Sequence, residues 1–341
     1  MHSRISEKCL NILHTVAAPL TGLIVCIVII LFRSQNAPSA LQTLFTGTFS
    51  SSYYIGSMLN TMALLLTAGL GASVAVKSGN MNLGGEGQIY AGGFIACLIM
   101  TSIHNNSFLV FTLALILSVM SGAALALISS VLKETRNASV LLTSFLVSAA
   151  VIPLIDGAIT KSKEDSLQNL LALPYIPHEF EMTQLLPPSP LNISFILAVI
   201  LSLITFFILY KTKTGHTVSM WGIAPEFSRY SGFSSAANSF GTLAVSGALH
   251  ALTGFFAVCG TYYTCHKGFY AGMGWNALTA CLIASSHPLY LIVSSLVLAW
   301  LFNSAELLSL TQGFGFDISG IVQGVVLFTI AASTFSKGEK Q

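Results

Sequence analysis

Apolar runs of near membrane-spanning length recur from one end of this chain to the other, and they leave it one kind of fold. About 20 apolar residues in helical form cross the ~30 Å hydrocarbon core of a bilayer. Runs of that length, or nearly so, occupy 12–32, 57–76, 88–102, 108–132, 140–159, 193–210, 240–263, 276–285, 288–302 and 318–335. Of 341 residues, 54% are hydrophobic and 8% charged, too few charges to cover a soluble globule. The expected fold class is therefore all-α: a polytopic transmembrane helical bundle of about ten membrane segments in a single domain, 1–341. Two runs are short. The run 88–102 starts inside a polar stretch at Gly84 or Gly85, and 276–285 has half-membrane length from near Gly272, so broken or half-spanning helices are expected.

Basic residues set the orientation. With the N-terminus inside, Arg4, Lys8, Lys133, Arg136, Lys211, Lys213, Arg229, Lys337 and Lys340 collect on the cytoplasmic side, against Arg33, Lys161, Lys163 and Lys267 outside. Both termini are then cytoplasmic, which requires an even number of crossings, and ten satisfies it. Arg4 and Lys8 before an apolar run resemble a signal peptide, but 12–32 exceeds the ~7–15 residues of such a core and is read as a retained helix.

Two connections stand out. Residues 161–190 hold five prolines and mixed charges, and read as an extracytoplasmic loop or a docking surface for a partner. Residues 211–238 form a long inner connection, in which Pro225 and Glu226 suit the first turn of a short helix and Phe227, Tyr230 and Phe233 line one face. That helix lies at the membrane surface or fills a protein groove.

Residues 77–94 carry Asn80, Asn82, Glu86, Gln88 and six glycines between two apolar runs. Polar groups at membrane depth face protein or water, never lipid, so this stretch reads as the lining of a polar path. Glu86 is the leading intramembrane charge; the alternative role for it is capping a broken helix by accepting backbone N–H bonds. Asp156, Glu306 and Asp317 read as interfacial, and Trp275-Asn276 form a second polar and aromatic break. Small-residue pairs such as Gly92-Gly93, Gly122, Gly247 with Gly254, and Gly320 with Gly324 permit close helix contact. The six scattered cysteines form no metal spacing and read as packing residues, and no metal site is assigned. With no phosphate-binding G-x-x-x-x-G-K-[ST], no H-E-x-x-H and no G-x-S-x-G, the chain reads as no enzyme, and ATP-driven work would need another subunit.

Three blocks resemble a known family, the inner-membrane permeases of binding-protein-dependent ABC importers for branched-chain amino acids, simple sugars and nucleosides. Asn82-Leu83-Gly84 followed by Glu86-Gly87-Gln88 is similar to that family's N-I-G-x-E-G-Q signature. Ser246-Gly247-Ala248-Leu249 with Gly254, and the block from Gly274 to Val326, stand in matching positions. The Glu-Gly-Gln form is most similar to the nucleoside, simple-sugar and riboflavin branch.

The resemblance implies a bacterial inner-membrane permease subunit, paired with a like or different permease, above ATPase subunits that hold the ATP and below an extracytoplasmic substrate-binding protein. It implies that Asn80, Asn82, Glu86 and Gln88 shape the substrate pathway, with Trp275 and Asn276 opposite. It also implies that 211–238 is a coupling loop whose short helix, with Pro225, Glu226, Phe227, Arg229, Tyr230 and Gly232, docks in the ATPase. A nucleoside-like solute is the expected cargo, riboflavin or a simple sugar the alternatives. An ion-coupled secondary transporter titrating Glu86 or Asp156 is the reading of another class.

Overall fold

The chain is seen in a computed structural model that describes the backbone of residues 2–103, 107–162, 171–314 and 316–338, and side chains of 17–103, 107–161, 171–314 and 316–332. It is all-α among these residues. The helices are α1 (His2–Arg33), α2 (Ala37–Thr46), α3 (Ser52–Lys77), α4 (Gly85–Ser102), α5 (Ser107–Arg136), α6 (Val140–Ser162), α7 (Ser194–Lys211), α8 (Lys213–Ile223), α9 (Pro225–Tyr230), α10 (Ser235–Ala257), α11 (Met273–Ile283), α12 (Pro288–Gln312) and α13 (Ile318–Gly338). Each of the ten apolar runs falls on one of α1, α3–α7 and α10–α13.

Among the described residues, length and composition alone qualify six helices as spans: α3, α5, α6, α7, α10 and α12. Helices α4 and α11 fall short for identifiable reasons. Helix α4 opens with Gly85, Glu86, Gly87 and Gln88, and α11 has 11 residues, about 16 Å at 1.5 Å each. Burial separates centre from periphery: 83% of the apolar window of α3 and 72% of that of α10 are buried, against 22% in α5 and α6. Helices α3 and α10 are the axis, and the outward faces of α5 and α6 are left for lipid.

Helices α10–α13 repeat the packing of α3–α6 with the direction reversed. Helices α3 and α10 are antiparallel neighbours, Asn60 meeting Thr261 at one end and Ser78 meeting Asn238 at the other. Helix α5 packs on α10 as α12 packs on α3, and α4 packs on α5, α6 and α10 as α11 packs on α12, α13 and α3. Such inverted repeats bring their broken helices together at mid-depth. Here α3 ends at Lys77 and seven residues lead back into the bundle before α4 starts, while α10 runs on through a π-turn (Val258–Tyr262) and residues 263–272 lead inward to α11.

Small residues make the tight packing possible. At Gly122 a Cβ would run into the carbonyl of Gly247, and at Gly247 into the carbonyl of Gly122, so α5 and α10 touch backbone to backbone. Gly320 behaves differently, meeting nothing beyond its neighbour Asp317, and Gly324 has open space where a Cβ would go, so this pair joins no helices within the described chain. Cys26, Cys97, Cys259, Cys265 and Cys281 are buried and free, as packing residues should be.

The 161–190 segment differs from a free loop. Residues 163–170 lie outside the described residues, but those that follow fold down onto the bundle. Leu173, Ile176, Phe180 and Met182 are buried. The N–H groups of Leu173, Ile176 and Met182 donate to the carbonyls of Cys265, Tyr263 and Cys259, at 3.0, 2.8 and 2.8 Å. The inward break after α10 exposes those carbonyls, and the segment satisfies them. Prolines and charges marked it as non-spanning; the spaced apolar residues were the sign that it packs.

Candidate functional site

The two breaks meet inside the bundle, helix N-terminus to helix N-terminus. A Cβ on Gly274 would lie 2.6 Å from the backbone N of Glu86, and one on Gly85 would lie 3.3 Å from the Cα of Gly274. Glycine at both positions is what lets the ends approach. A helix start leaves unpaired N–H groups and a partial positive charge, and two starts facing each other call for an acceptor between them. Glu86 supplies it: the N–H of Gly272, the left-handed residue (φ 80°) that starts α11, donates to Glu86 Oε1 at 2.8 Å. The carboxylate belongs to α4 and caps α11.

N–H groups leading into and opening α4 are met by side chains. Gly84 N–H donates to Asn82 Oδ1 (2.9 Å), Leu83 N–H to Ser144 Oγ (3.0 Å) and Gly87 N–H to Ser148 Oγ (2.8 Å). Ser144 and Ser148 stand one turn apart on α6, and their place in an apolar run was a signal not read from sequence.

The six pathway candidates separate in the structure. Asn80, Asn82 and Gln88 are buried, with 1%, 3% and 2% of their surface exposed. Asn82 and Gln88 pair amide to amide, Asn82 also donates to Ser246 Oγ (3.0 Å), and Gln88 Oε1 lies 2.8 Å from His250 Nδ1. Asn80 donates to Ser78 and Thr242 and accepts from Lys133 Nζ. These amides hold the α4 break against α10 and α5. Trp275 turns toward α6, its ring 6.4 Å from that of Phe145. Asn276 points the other way.

Asn276 lines a polar cavity of about 410 Å³, at the end of the bundle away from α9. Its walls come from four elements: Tyr53, Ser57, Asn60 and Thr61 on α3; Thr261 and Tyr262 of the π-turn; Asn303 and Glu306 on α12; Ser319 and Gln323 on α13. Ala271, Met273 and Asn276 close its inner side, flanking the Gly272 that Glu86 holds. The walls are braced by hydrogen bonds: Ser57 Oγ donates to Asn303 Oδ1, Asn303 Nδ2 to Thr61 Oγ1, and Asn276 Nδ2 to Gln323 Oε1 (2.8 Å). Sequence reading missed Asn60, Asn303 and Gln323, although Asn60 and Gln323 are amides inside apolar runs and Asn303 directly follows one. Asp156, by contrast, is committed elsewhere: it accepts from Tyr90 OH at 2.7 Å and lies 3.9 Å from Lys267.

The expected short helix is present as α9, with Pro225 in its first turn beside Glu226 and Arg229 in its last. Phe227 and Tyr230 are 58% and 88% exposed, an aromatic pair facing away from the bundle, and Gly232 follows in the left-handed conformation (φ 80°). Residues 211–238 include a second helix, α8, that reading as a connection did not resolve. Its Gly222 lies so close to the end of α3 that a Cβ would strike the carbonyl of Lys77. Asn238, at the start of α10, donates to the carbonyl of Ser78 at 3.2 Å. The α8–α9 segment thus rests directly on the first residues of the α4 break. No cluster of metal-ligating side chains occurs among the described residues.

Comparison with known proteins agrees with this architecture. The chain is 34% identical over 325 residues to the probable riboflavin import permease protein RfuC of Treponema pallidum, covering 94% of this chain and 86% of that one. It is 24% identical to the nucleoside ABC transporter permease protein NupB of Lactococcus lactis, covering 96% and 92% of the two chains. It is 22% identical to the guanosine ABC transporter permease protein NupP of Bacillus subtilis, covering 95% and 94%. No solved structure matches the chain. Residues 54–331 match the family described as branched-chain amino acid transport system / permease component, and the chain belongs to that family as a multi-pass transport subunit of the nucleoside, sugar and riboflavin branch.

Proposed function

We propose that this permease passes a nucleoside-like solute, a planar nitrogen heterocycle joined to a hydroxylated chain or ring, through a path that begins in the 410 Å³ vestibule and continues past the junction of α4 and α11. The vestibule carries the proposal. It is large enough for a small organic ligand, braced by amides and hydroxyls rather than ion pairs, and ends at the one place where both halves of the fold break. Riboflavin is the second reading, favoured by the 34% identical relative, whose printed name is a riboflavin permease. Both solutes pair an aromatic ring with hydroxyls, which suits walls that mix Tyr53, Tyr262 and Phe302 with amides.

In this proposal the α9 end, where Lys133, Arg136, Lys211, Lys213 and Arg229 gather, faces the cytoplasm from the bacterial inner membrane, and both termini with it; the excess of basic residues at that end supports this orientation. There Phe227 and Tyr230 dock in an ATPase subunit that binds the ATP, a second permease completes the pathway, and a binding protein delivers the solute to the vestibule. The contacts supply a route for coupling. Movement of α9 reaches Lys77–Gly79 through Gly222, reaches α4 through Asn82, Gln88 and His250, and reaches α11 and the vestibule through Glu86 and Gly272.

Competition in the complete transporter tests the cargo. Guanosine or riboflavin in excess should abolish uptake of the radiolabelled other or of itself, while glucose at the same concentration leaves it unchanged. Uptake blocked by glucose and indifferent to both ring compounds would reject the proposal.

A further inference from the structure

The vestibule holds one carboxylate and nothing to balance it. Among the described residues that line it, Glu306 is the sole acid, and no Lys, Arg or His is present. Glu306 has neither hydrogen-bond nor ion-pair partner among the described residues. The remaining wall groups are largely spoken for: both Asn303 Nδ2 hydrogens are used, on Thr61 and the carbonyl of Ala299, and the Asn60 amide is tied to Thr261 and Asn192. Asn276 is 8% exposed, and its Oδ1, on the vestibule wall, accepts from no described donor. A solute in the vestibule therefore meets neutral hydroxyls and free acceptors, with Glu306 the one acidic or basic side chain among the described lining residues. Walls of low dielectric concentrate the field of a carboxylate instead of screening it.

Resting on the reading of the vestibule as the mouth of the solute path, we propose that Glu306 is a specificity-determining residue that makes this mouth a charge filter. It admits neutral solutes that present N–H or O–H donors, such as ring amides and polyols, and turns away their phosphorylated counterparts. Phosphate brings negative charge and acceptors, both of which the vestibule already has. The donor-bearing edge of a neutral heterocycle brings what Glu306 and Asn276 lack.

The local potential can be measured without knowing the cargo. Ser57→Cys puts a thiol in the wall, against a background in which the described native cysteines are buried; Tyr53→Cys serves as a second position nearer the opening. Purified full-length protein is treated with a cationic and an anionic methanethiosulfonate reagent, and the ratio of their rates is referred to that for a free thiol. The cationic reagent should be favoured about tenfold or more, and Glu306→Gln should bring the ratio to within about threefold of the free thiol. Glu306→Asp, which keeps the charge, should retain the preference and shows that the loss is not misfolding. A ratio near that of the free thiol in the otherwise native protein at both positions, or one unmoved by Glu306→Gln, overturns the filter. In the complete transporter, nucleoside monophosphates should compete with uptake in Glu306→Gln and not in the native protein; phosphates that compete equally in both also overturn it. A biased reagent ratio in a transporter that takes up no ring compound would instead reject the cargo proposal and leave the filter standing.

Discussion

A chain carrying Phe227→Ala and Tyr230→Ala together is expected to remain folded in detergent and to lose its ATPase subunit on purification. Both rings project from α9 with 58% and 88% of their surface exposed, and Ser228 between them is buried against the chain. The helix is therefore anchored by one face and presents the other. Large aromatics left exposed beside Arg229 are the residue types that dominate protein interfaces, where each truncation costs about 2 kcal/mol or more. Two together weaken association by about 10³-fold, enough to separate the subunits at purification concentrations. Because neither ring packs into the bundle, the melting curve of the isolated permease should be unchanged. Co-purification at the native level would show that α9 does not dock.

Gly247→Val should have the opposite effect, destroying the bundle before any partner is involved. At this position a Cβ alone would overlap the Gly122 carbonyl and come within 2.7 Å of the Ala126 Cβ. The reciprocal contact at Gly122 means that neither helix can yield without the other moving. Overpacking of this kind costs typically about 1–3 kcal/mol, and here the obstacle is backbone, which cannot change rotamer. Since α10 also holds Asn82 through Ser246 and Gln88 through His250, displacing it undoes the α4 break as well. Little monodisperse protein should be recovered by size-exclusion chromatography. Gly324→Val is the control, since open space surrounds that position and the chain should fold normally. Native yield and melting for Gly247→Val would mean that α5 and α10 do not touch as described.

These two glycines illustrate what sequence could and could not convey. Both belong to small-residue patterns that look alike in a string of letters, yet one joins two helices and the other faces outward, because contact depends on which helices the topology brings together. Local features were legible. Glycines and polar residues in an apolar setting marked both breaks, and placed the start of α4 at Gly84 or Gly85 and that of α11 near Gly272; the helices start at Gly85 and Met273. Glu86 was recognised as either a charge with a job or a cap, and the structure shows it capping a helix 186 residues away. The vestibule was not legible, because Asn60, Asn303, Glu306 and Gln323 lie on three helices and only the fold sets them face to face. The packing of 173–182 onto the carbonyls of 259–265 was hidden for the same reason: the demand for those hydrogen bonds arises only once α10 breaks.

In the proposed mechanism this chain is the passive half of an ATP-driven importer, moved through α9 and carrying no energy-coupling group of its own. The most direct measurement is solute uptake into proteoliposomes, with the permease reconstituted alone or with its ATPase and binding protein. Uptake of guanosine or riboflavin should require ATP and all the subunits, and should be indifferent to proton or sodium gradients, including in Asp156→Asn. Uptake by the permease alone, driven by either gradient and abolished in Glu86→Gln or Asp156→Asn, would contradict the account and identify a secondary transporter.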